Sequence, residues 1–385
     1  MDQAIRDRQL EELAGDNSFA SEWDALADRA GGPPFLRPGW VAAWIGVFGD
    51  GDLHTVEVRR QGELVAILPM LRHRDRLIAP TNWHTPGFAP LAVDSEAREA
   101  LFECLFAEPS ACIDLNLLDV TSVSSDALAN AARKSQRLVL ARTVAQAPLI
   151  DAQGDFGDYE RRLSRNRRKG LRRHRRRLEE IGEVRFRVHD GQGDRDRLLA
   201  QMYAIEASGW KGDRGTAIAS QPDTQRFYTT VASWAATRGW LRLAFLYLDD
   251  RPIASDYALV QGGAWYSLKA GYDEEFSSFG PGALLLRDEL VHCFNDPEVT
   301  KFELLGHNDS FKAGWADRLV ERHWLRAFSR RPGGVFRWST AATLEQARLL
   351  RNLLRRARHP FAFGSPLTAS EIAPVASEIA PYFVV

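Results

Sequence analysis

The 385-residue chain is 45% hydrophobic and 26% charged, the composition of an ordinary globular protein long enough for two domains. No apolar run approaches the roughly 18–20 residues that span a bilayer, and the start lacks the apolar core of a signal peptide, so a cytoplasmic protein is expected. The net charge of −1 hides an asymmetry: eleven Lys and Arg without an acid between Arg161 and Arg177 leave 39 basic against 51 acidic residues elsewhere.

The first thirty residues read as largely helical, with Phe19, Trp23 and Leu26 at helical spacing, until Gly31-Gly-Pro-Pro34 breaks the pattern. Trp40, Trp44 and Phe48 line one face of a second helix. A hairpin follows, with strands over Leu53–Arg59 and Glu63–Leu71 joined at Gln61-Gly62. After a Pro/Gly-rich passage from Pro80 to Pro90 come a helix over Ser95–Phe106 and a buried strand over Ala111–Leu118. A helix near Ser125–Ser135 and a strand over Arg137–Val144 close the first half. One helix is expected over Tyr159–Ile181, with a thin apolar stripe of Leu163, Leu171, Leu178 and Ile181, and another over Arg195–Ser208.

The second half repeats the plan of the first. Leu241–Leu248 and Pro252–Val260 form a hairpin across Asp249-Asp250, and Trp265–Gly271 is the next strand. A glycine-bearing loop (Phe276 to Gly282), a helix over Ala283–Phe294 and strands over Lys301–Leu305 and Glu321–Phe328 complete it. The repeated elements stand 188–189 residues apart, which points to a duplicated mixed α/β fold. The division expected is a scaffold or acceptor wall over residues 1–150, a catalytic domain over 151–330, and a basic amphipathic helix with a tail over 331–385. Cys104, Cys112 and Cys293 read as reduced core thiols, and no Cys/His spacing suggests a metal site.

The halves differ where chemistry is expected. Phe279, Gly280, Pro281, Gly282, Ala283 and Leu284 open the second helix with bare backbone N–H groups at the positive end of its dipole, an arrangement that receives phosphate. Asp94, Glu96 and Glu99 crowd the matching helix start in the first half and repel phosphate. Gly271 permits close backbone approach, or marks a bulge. Asp273 and His307 each follow a strand end, as cleft residues or as a turn cap and a surface imidazole. Glu303 faces either the sheet crevice or solvent. Eleven like charges on one helix call for a polyanion (tRNA, an anionic lipid surface or a sugar nucleotide) or for compensation by the acidic body.

Phe35-Leu-Arg-Pro-Gly-Trp40, the Arg-rich helix ending in Leu178-Glu-Glu-Ile-Gly182, Trp210-Lys211-Gly212, and Tyr272-Asp273 followed by Gly280-Pro-Gly-Ala-Leu-Leu-Leu286 occur in one order. Together they resemble tandem GNAT-fold acetyltransferases of the CelD-like, cellulose-biosynthesis-associated branch, which is similar to the Fem-type aminoacyl transferases. The resemblance covers about residues 30–330 and implies acetyl-CoA or another acyl-CoA as donor, lying between two splayed parallel strands. It also implies an amino sugar or saccharide precursor as acceptor, with Lys269 and the backbone of Ser267–Gly271 at the donor and Trp210 and Lys211 in the acceptor wall. Asp309-Ser-Phe-Lys-Ala-Gly-Trp315 resembles a Phe-Lys-x-Gly-Phe element of the Fem-type enzymes and puts Lys312 beside the donor. Aminoacyl-tRNA is then the alternative donor, a non-catalytic assembly factor the third reading, and the inner face of a membrane a peripheral location.

Overall fold

The computed structural model describes residues 13, 18–121, 123, 125–208 and 218–358. Two helices, α1 (Ser18–Arg29) and α2 (Pro38–Phe48), precede the hairpin β1 (Asp52–Arg60) and β2 (Glu63–His73). A short strand β3 (Arg76–Ile78), the two-residue β4 (Leu91–Ala92), α3 (Ser95–Ala107), β5 (Cys112–Asp119), α4 (Ser125–Lys134) and β6 (Leu138–Asp151) follow. The link to the second half is α5 (Phe156–Arg162), α6 (Arg165–Glu179), β7 (Val184–His189), α7 (Arg195–Ala207) and α8 (Pro222–Thr237). Then come β8 (Leu241–Leu248), β9 (Arg251–Gln261), β10 (Ala264–Tyr272), α9 (Pro281–Asn295) and β11 (Lys301–Glu303). A one-turn helix α10 (Ser310–Ala313), β12 (Arg318–Phe328) and the long helix α11 (Pro332–Arg358) end the described chain.

One sheet runs through the molecule in the order β1-β2-β3-β5-β12-β6-β11-β10-β9-β8-β7, with β4 beside β2. Its pairings read the same from both ends. In each half an antiparallel hairpin leads to a third antiparallel strand, which pairs in parallel with a fourth: β3 with β5, and β10 with β11. The halves exchange their last strands. β6 leaves the first half to pair with β11, and β12 leaves the second to pair with β5; the two then pair with each other from Leu138 to Leu149.

The local chemistry behind these elements is ordinary. Gln61-Gly62 reverses the first hairpin with both residues at positive φ, and Asp249 does the same in the second. β2 and β9 are buried along most of their length because two helices pack on each, α1 and α3 on β2 and α7 and α9 on β9. The largest apolar cluster joins α2, α8 and the first-half sheet, with Trp40 edge-on to Phe227 at 5.2 Å. A second cluster packs α6 and α9 onto β8–β10.

Three expectations change. The Arg-rich helix is two helices, because the chain turns at Leu163 and Ser164 restarts it by accepting a hydrogen bond from the Arg167 amide at 3.2 Å. Cys104 is exposed, while Cys112 and Cys293 are buried. β6 runs to Asp151 rather than stopping at Val144, since its far end serves the other half.

Candidate active site

The two parallel pairs begin alike and then diverge. β10 and β11 are paired only from Ala264 to Tyr266 against Lys301 to Glu303. β10 then continues to Tyr272 with β9 as its only strand partner among the described residues. β11 stops because Leu304 turns its amide to Pro148 O (3.0 Å), and Leu305 and Gly306 adopt left-handed φ of 52° and 63°. A cleft therefore opens between Ser267–Tyr272 and the chain after Glu303. The β9–β10 register shifts between Ser267 and Lys269, so the donor-strand bulge lies at the cleft.

In the first half the corresponding opening is filled by the chain's own residues. Ala79 donates to Asp114 O, Phe88 to Leu117 O and Asp119 to Phe88 O, all within 2.9 Å. Buried Arg322 of β12 pins this loop at Pro86 O and pairs with Asp119 at 3.1 Å. The helix starts differ in the same sense. Asp94 caps α3 by accepting from the Ala97 amide at 2.7 Å, and Arg60 bridges Asp94 and Glu96. Gly280, at φ 60°, starts α9 with no side-chain cap.

The α9 start is enclosed by aromatic and cationic groups. A Cβ on Gly282 would stand 3.3 Å from the Tyr272 ring, and one on Gly280 would stand 3.4 Å from His174. Pro281 and Leu284 are buried beneath this turn, Ala283 is half-buried, and Phe279 carries the Arg177 guanidinium 4.8 Å above its ring. Helix α6 spans the cleft mouth: Arg177 donates to Ser278 O on one wall, and Arg167 donates to Phe311 O and covers Trp315 on the other. Leu171 and Leu178 dock α6, and Arg175 pairs with Asp288 of α9. Arg165, Lys169, Arg172 and Arg173 remain exposed, without an ion pair among the described residues.

Residues 165–313 match the family model described as an acetyltransferase (GNAT) domain. This segment is similar to a GNAT acyltransferase domain. It begins with α6 and ends at α10, so it contains both cleft walls. Among solved structures, the chain is similar to FemX at 12% identity, covering 80% of this chain and 95% of that one, with a TM-score of 0.56. A C-terminal domain of a putative lysylphosphatidylglycerol synthetase from Agrobacterium fabrum is similar at 13% identity, covering 83% and 95%, with a TM-score of 0.51. A conserved protein of unknown function from Bacteroides thetaiotaomicron is similar at 9% identity, covering 82% and 99%, at 0.53. These likenesses are of fold. No curated protein sequence matches the chain.

Within the matched segment and its surroundings the residues singled out from sequence take definite places. Lys312 sends its ammonium into the strand end, donating to Leu304 O (3.0 Å) and Leu305 O (2.8 Å), and so holds the cleft wall. Asp273 caps the turn after β10 through the Glu275 amide and pairs with Arg251 at 2.6 Å. His307 is exposed beyond the left-handed turn. Gly271 lies against Glu206 of α7, where a Cβ would stand 3.1 Å from the Glu206 backbone. Lys269 points toward the first half, with its ammonium 3.9 Å from the Trp83 ring and 5.5 Å from that of Tyr228, rather than toward the glycine turn. Glu303 faces the sheet seam, 3.8 Å from Arg322, and burial raises its pKa. Trp210 and Lys211 lie outside the described residues.

Two features escaped the sequence reading. Asp256 of β9 and Glu289 of α9 are fully buried beside the donor strand. Burial pushes the Asp256 carboxyl up to about 6, against the opposing pull of Ser267, Glu289, Trp265 and the Lys312 charge. Burial and Asp256 push Glu289 well above the usual carboxylate range. Among the described residues no well-aligned hydrogen bond reaches either Asp256 oxygen, and burial disfavours charge on both carboxyls. The spacing of 33 residues gave no signal; only the fold brings the two together. The second feature is His84, buried between Tyr228 Oη (3.2 Å) and Thr224 Oγ1 (3.4 Å), which burial and Lys269 lower to about 3. It is a neutral packing imidazole, and it props exposed Trp83 under Lys269.

Proposed function

We propose that the second half is an acyl-CoA-dependent N- or O-acyltransferase, with acetyl-CoA as the simplest donor, acting on an amino sugar or a polysaccharide or cell-envelope precursor. The observation that carries this reading is the contrast between the halves: an open cleft with an uncapped helix start in one, and a filled cleft with a carboxylate-capped start in the other. The acceptor class rests on the ordered motifs that resemble the CelD-like branch. The residues present suit a coenzyme A pyrophosphate. Gly280, Pro281, Gly282, Ala283 and Leu284 offer backbone rather than carboxylate, and Phe279 and the α6 guanidiniums flank them.

In this reading the bound thioester supplies an activated acyl carbon. The cleft-facing edge of β10 from Ser267 to Gly271 turns backbone N–H groups toward the oxyanion that forms on attack. Lys312 fixes the opposite wall, so its role is positioning. Asp256, its buried carboxyl pushed up to about 6, takes the proton the acceptor loses on attack and returns it to the departing coenzyme A sulfur, and Asp273 and His307 border the cleft farther out. The first half, with Trp83 stacked under Lys269, forms the acceptor wall; the resemblance adds Trp210 and Lys211, which lie outside the described residues.

The test is calorimetry with coenzyme A on Gly282→Asp and on Asp94→Ala. The first places a charge at the proposed pyrophosphate position and should weaken binding at least about tenfold through charge repulsion; the second should leave it unchanged. Equal affinity for wild type and Gly282→Asp refutes the site. A second reading, aminoacyl-tRNA as donor, draws on the exposed row Arg165, Lys169, Arg172 and Arg173 along the cleft mouth. Salt-sensitive tRNA binding in place of coenzyme A binding would favour it.

A further inference from the structure

Among the described residues, helix α11 is fastened to the middle of the sheet by one of its sides. Ala341 is buried against Cys112, Leu140 and Phe328, Trp338 and Ala342 pack on the same cluster, and Glu345 pairs with Arg142 of β6 at 3.1 Å. The opposite side shows apolar groups to solvent: Phe336 is 74% exposed, Leu344 65% and Leu350 59%. Phe336, Thr343 and Leu350 recur at seven-residue spacing, with Thr340 and Ala347 between them, so the exposed groups form a stripe rather than scattered points. The sequence of α11 holds six arginines (337, 348, 351, 355, 356 and 358) against one acid, Glu345. At 100° per residue, Arg348 and Arg351 follow one edge of that stripe.

We propose that this face of α11 docks on an anionic membrane surface, lying in its plane with Phe336, Leu344 and Leu350 in the headgroup and acyl boundary. An apolar stripe on a helix whose inner side is already packed has no use in water. A second copy of the chain would bring two arginine rows together, which disfavours self-association through this face. A nucleic acid would answer the arginines but leave the apolar groups wet. A negatively charged lipid surface satisfies both, and each arginine at such a surface strengthens binding about fivefold. No helix among the described residues is long and apolar enough to cross a membrane, so the contact is interfacial.

The test is vesicle flotation of the full chain with phosphatidylglycerol–phosphatidylcholine vesicles and with phosphatidylcholine alone, at low and high salt. Wild type should float with the anionic vesicles, at least about tenfold more than with neutral ones, and salt should release it. Phe336→Ser/Leu344→Ser/Leu350→Ser should abolish flotation while leaving the melting temperature nearly unchanged, because these side chains are mostly exposed in the free protein. Arg351→Glu, a milder change, should reduce it. The proposal fails if wild type does not float, if the triple variant floats like wild type, or if the stripe instead mediates a dimer in sedimentation velocity with no lipid affinity. Preferential, lipid-independent capture of tRNA by α11 would also overturn it.

Discussion

Replacing Asp256 with Asn should change how stability depends on pH, in a window the structure defines. The Asp256 carboxyl moves from an ordinary 3.8 to about 6 because it is fully buried. A carboxyl with a raised pKa holds its proton more tightly in the folded state. Its contribution to stability is therefore fully present below about pH 4 and is lost as pH rises through 6. A shift of about two units corresponds to about 3 kcal/mol across the whole window, and about 2 kcal/mol of that falls between pH 4.5 and pH 7.5. Burial and the neighbouring Asp256 also push Glu289 well above the usual carboxylate range, so charge on both carboxyls at once is disfavoured. Asn keeps the shape of the side chain but does not titrate. Urea unfolding of both proteins at about pH 4.5 and about pH 7.5 should show the variant gaining about 2 kcal/mol relative to wild type at the higher pH. A general loss of packing would lower the variant equally at both. Parallel pH dependence would refute the idea that Asp256 is a buried group of raised pKa. The same substitution should abolish the acid limb near pH 6 in the turnover profile if Asp256 is the proton acceptor.

Lys312→Met removes the charged donor that holds the Leu304 and Leu305 carbonyls, and should cost about 2 kcal/mol. Calorimetric melting checks this; an unchanged midpoint would leave Lys312 without a structural role. Changing Arg165, Lys169, Arg172 and Arg173 together to Glu should leave melting nearly unchanged, since none of them is paired among the described residues. The turnover or binding of a polyanionic ligand by this variant should collapse and lose its salt dependence. Arg175→Glu is a separate case: it opposes Asp288 on α9 and should destabilise the fold whatever the ligand.

The hairpins, the repeated order of elements and the uncapped helix start were legible because each is written in local residues: Gln61-Gly62, Asp249-Asp250 and Gly280-Pro281-Gly282. Helix α8 and strands β3 and β7 were not. β3 is three residues long, and β7 alternates arginines with apolar residues at the sheet edge. The break at Leu163-Ser164 was hidden because the basic composition continues across it, although Ser164 was a readable cap. Of the candidate site, the glycine turn and the strand ends could be found by position. The direction of Lys269, the clamp made by Lys312 and the meeting of Asp256 with Glu289 depend on long-range packing, for which no local pattern stands in.

The exchange of β6 and β12 has a consequence for how this chain can be made and cut. β5 has β3 on one side but lacks its second neighbour until residues 318–328 have been synthesised, and β11 takes its second neighbour from a strand laid down about 150 residues earlier. The first half leaving the ribosome thus carries an unpaired strand edge for most of translation, the condition under which sheets aggregate or wait on a chaperone. Neither half can be expressed alone as a finished domain. A break in the link near residues 152–155 should instead leave two fragments that fold only on each other, an obligate pair produced from one gene.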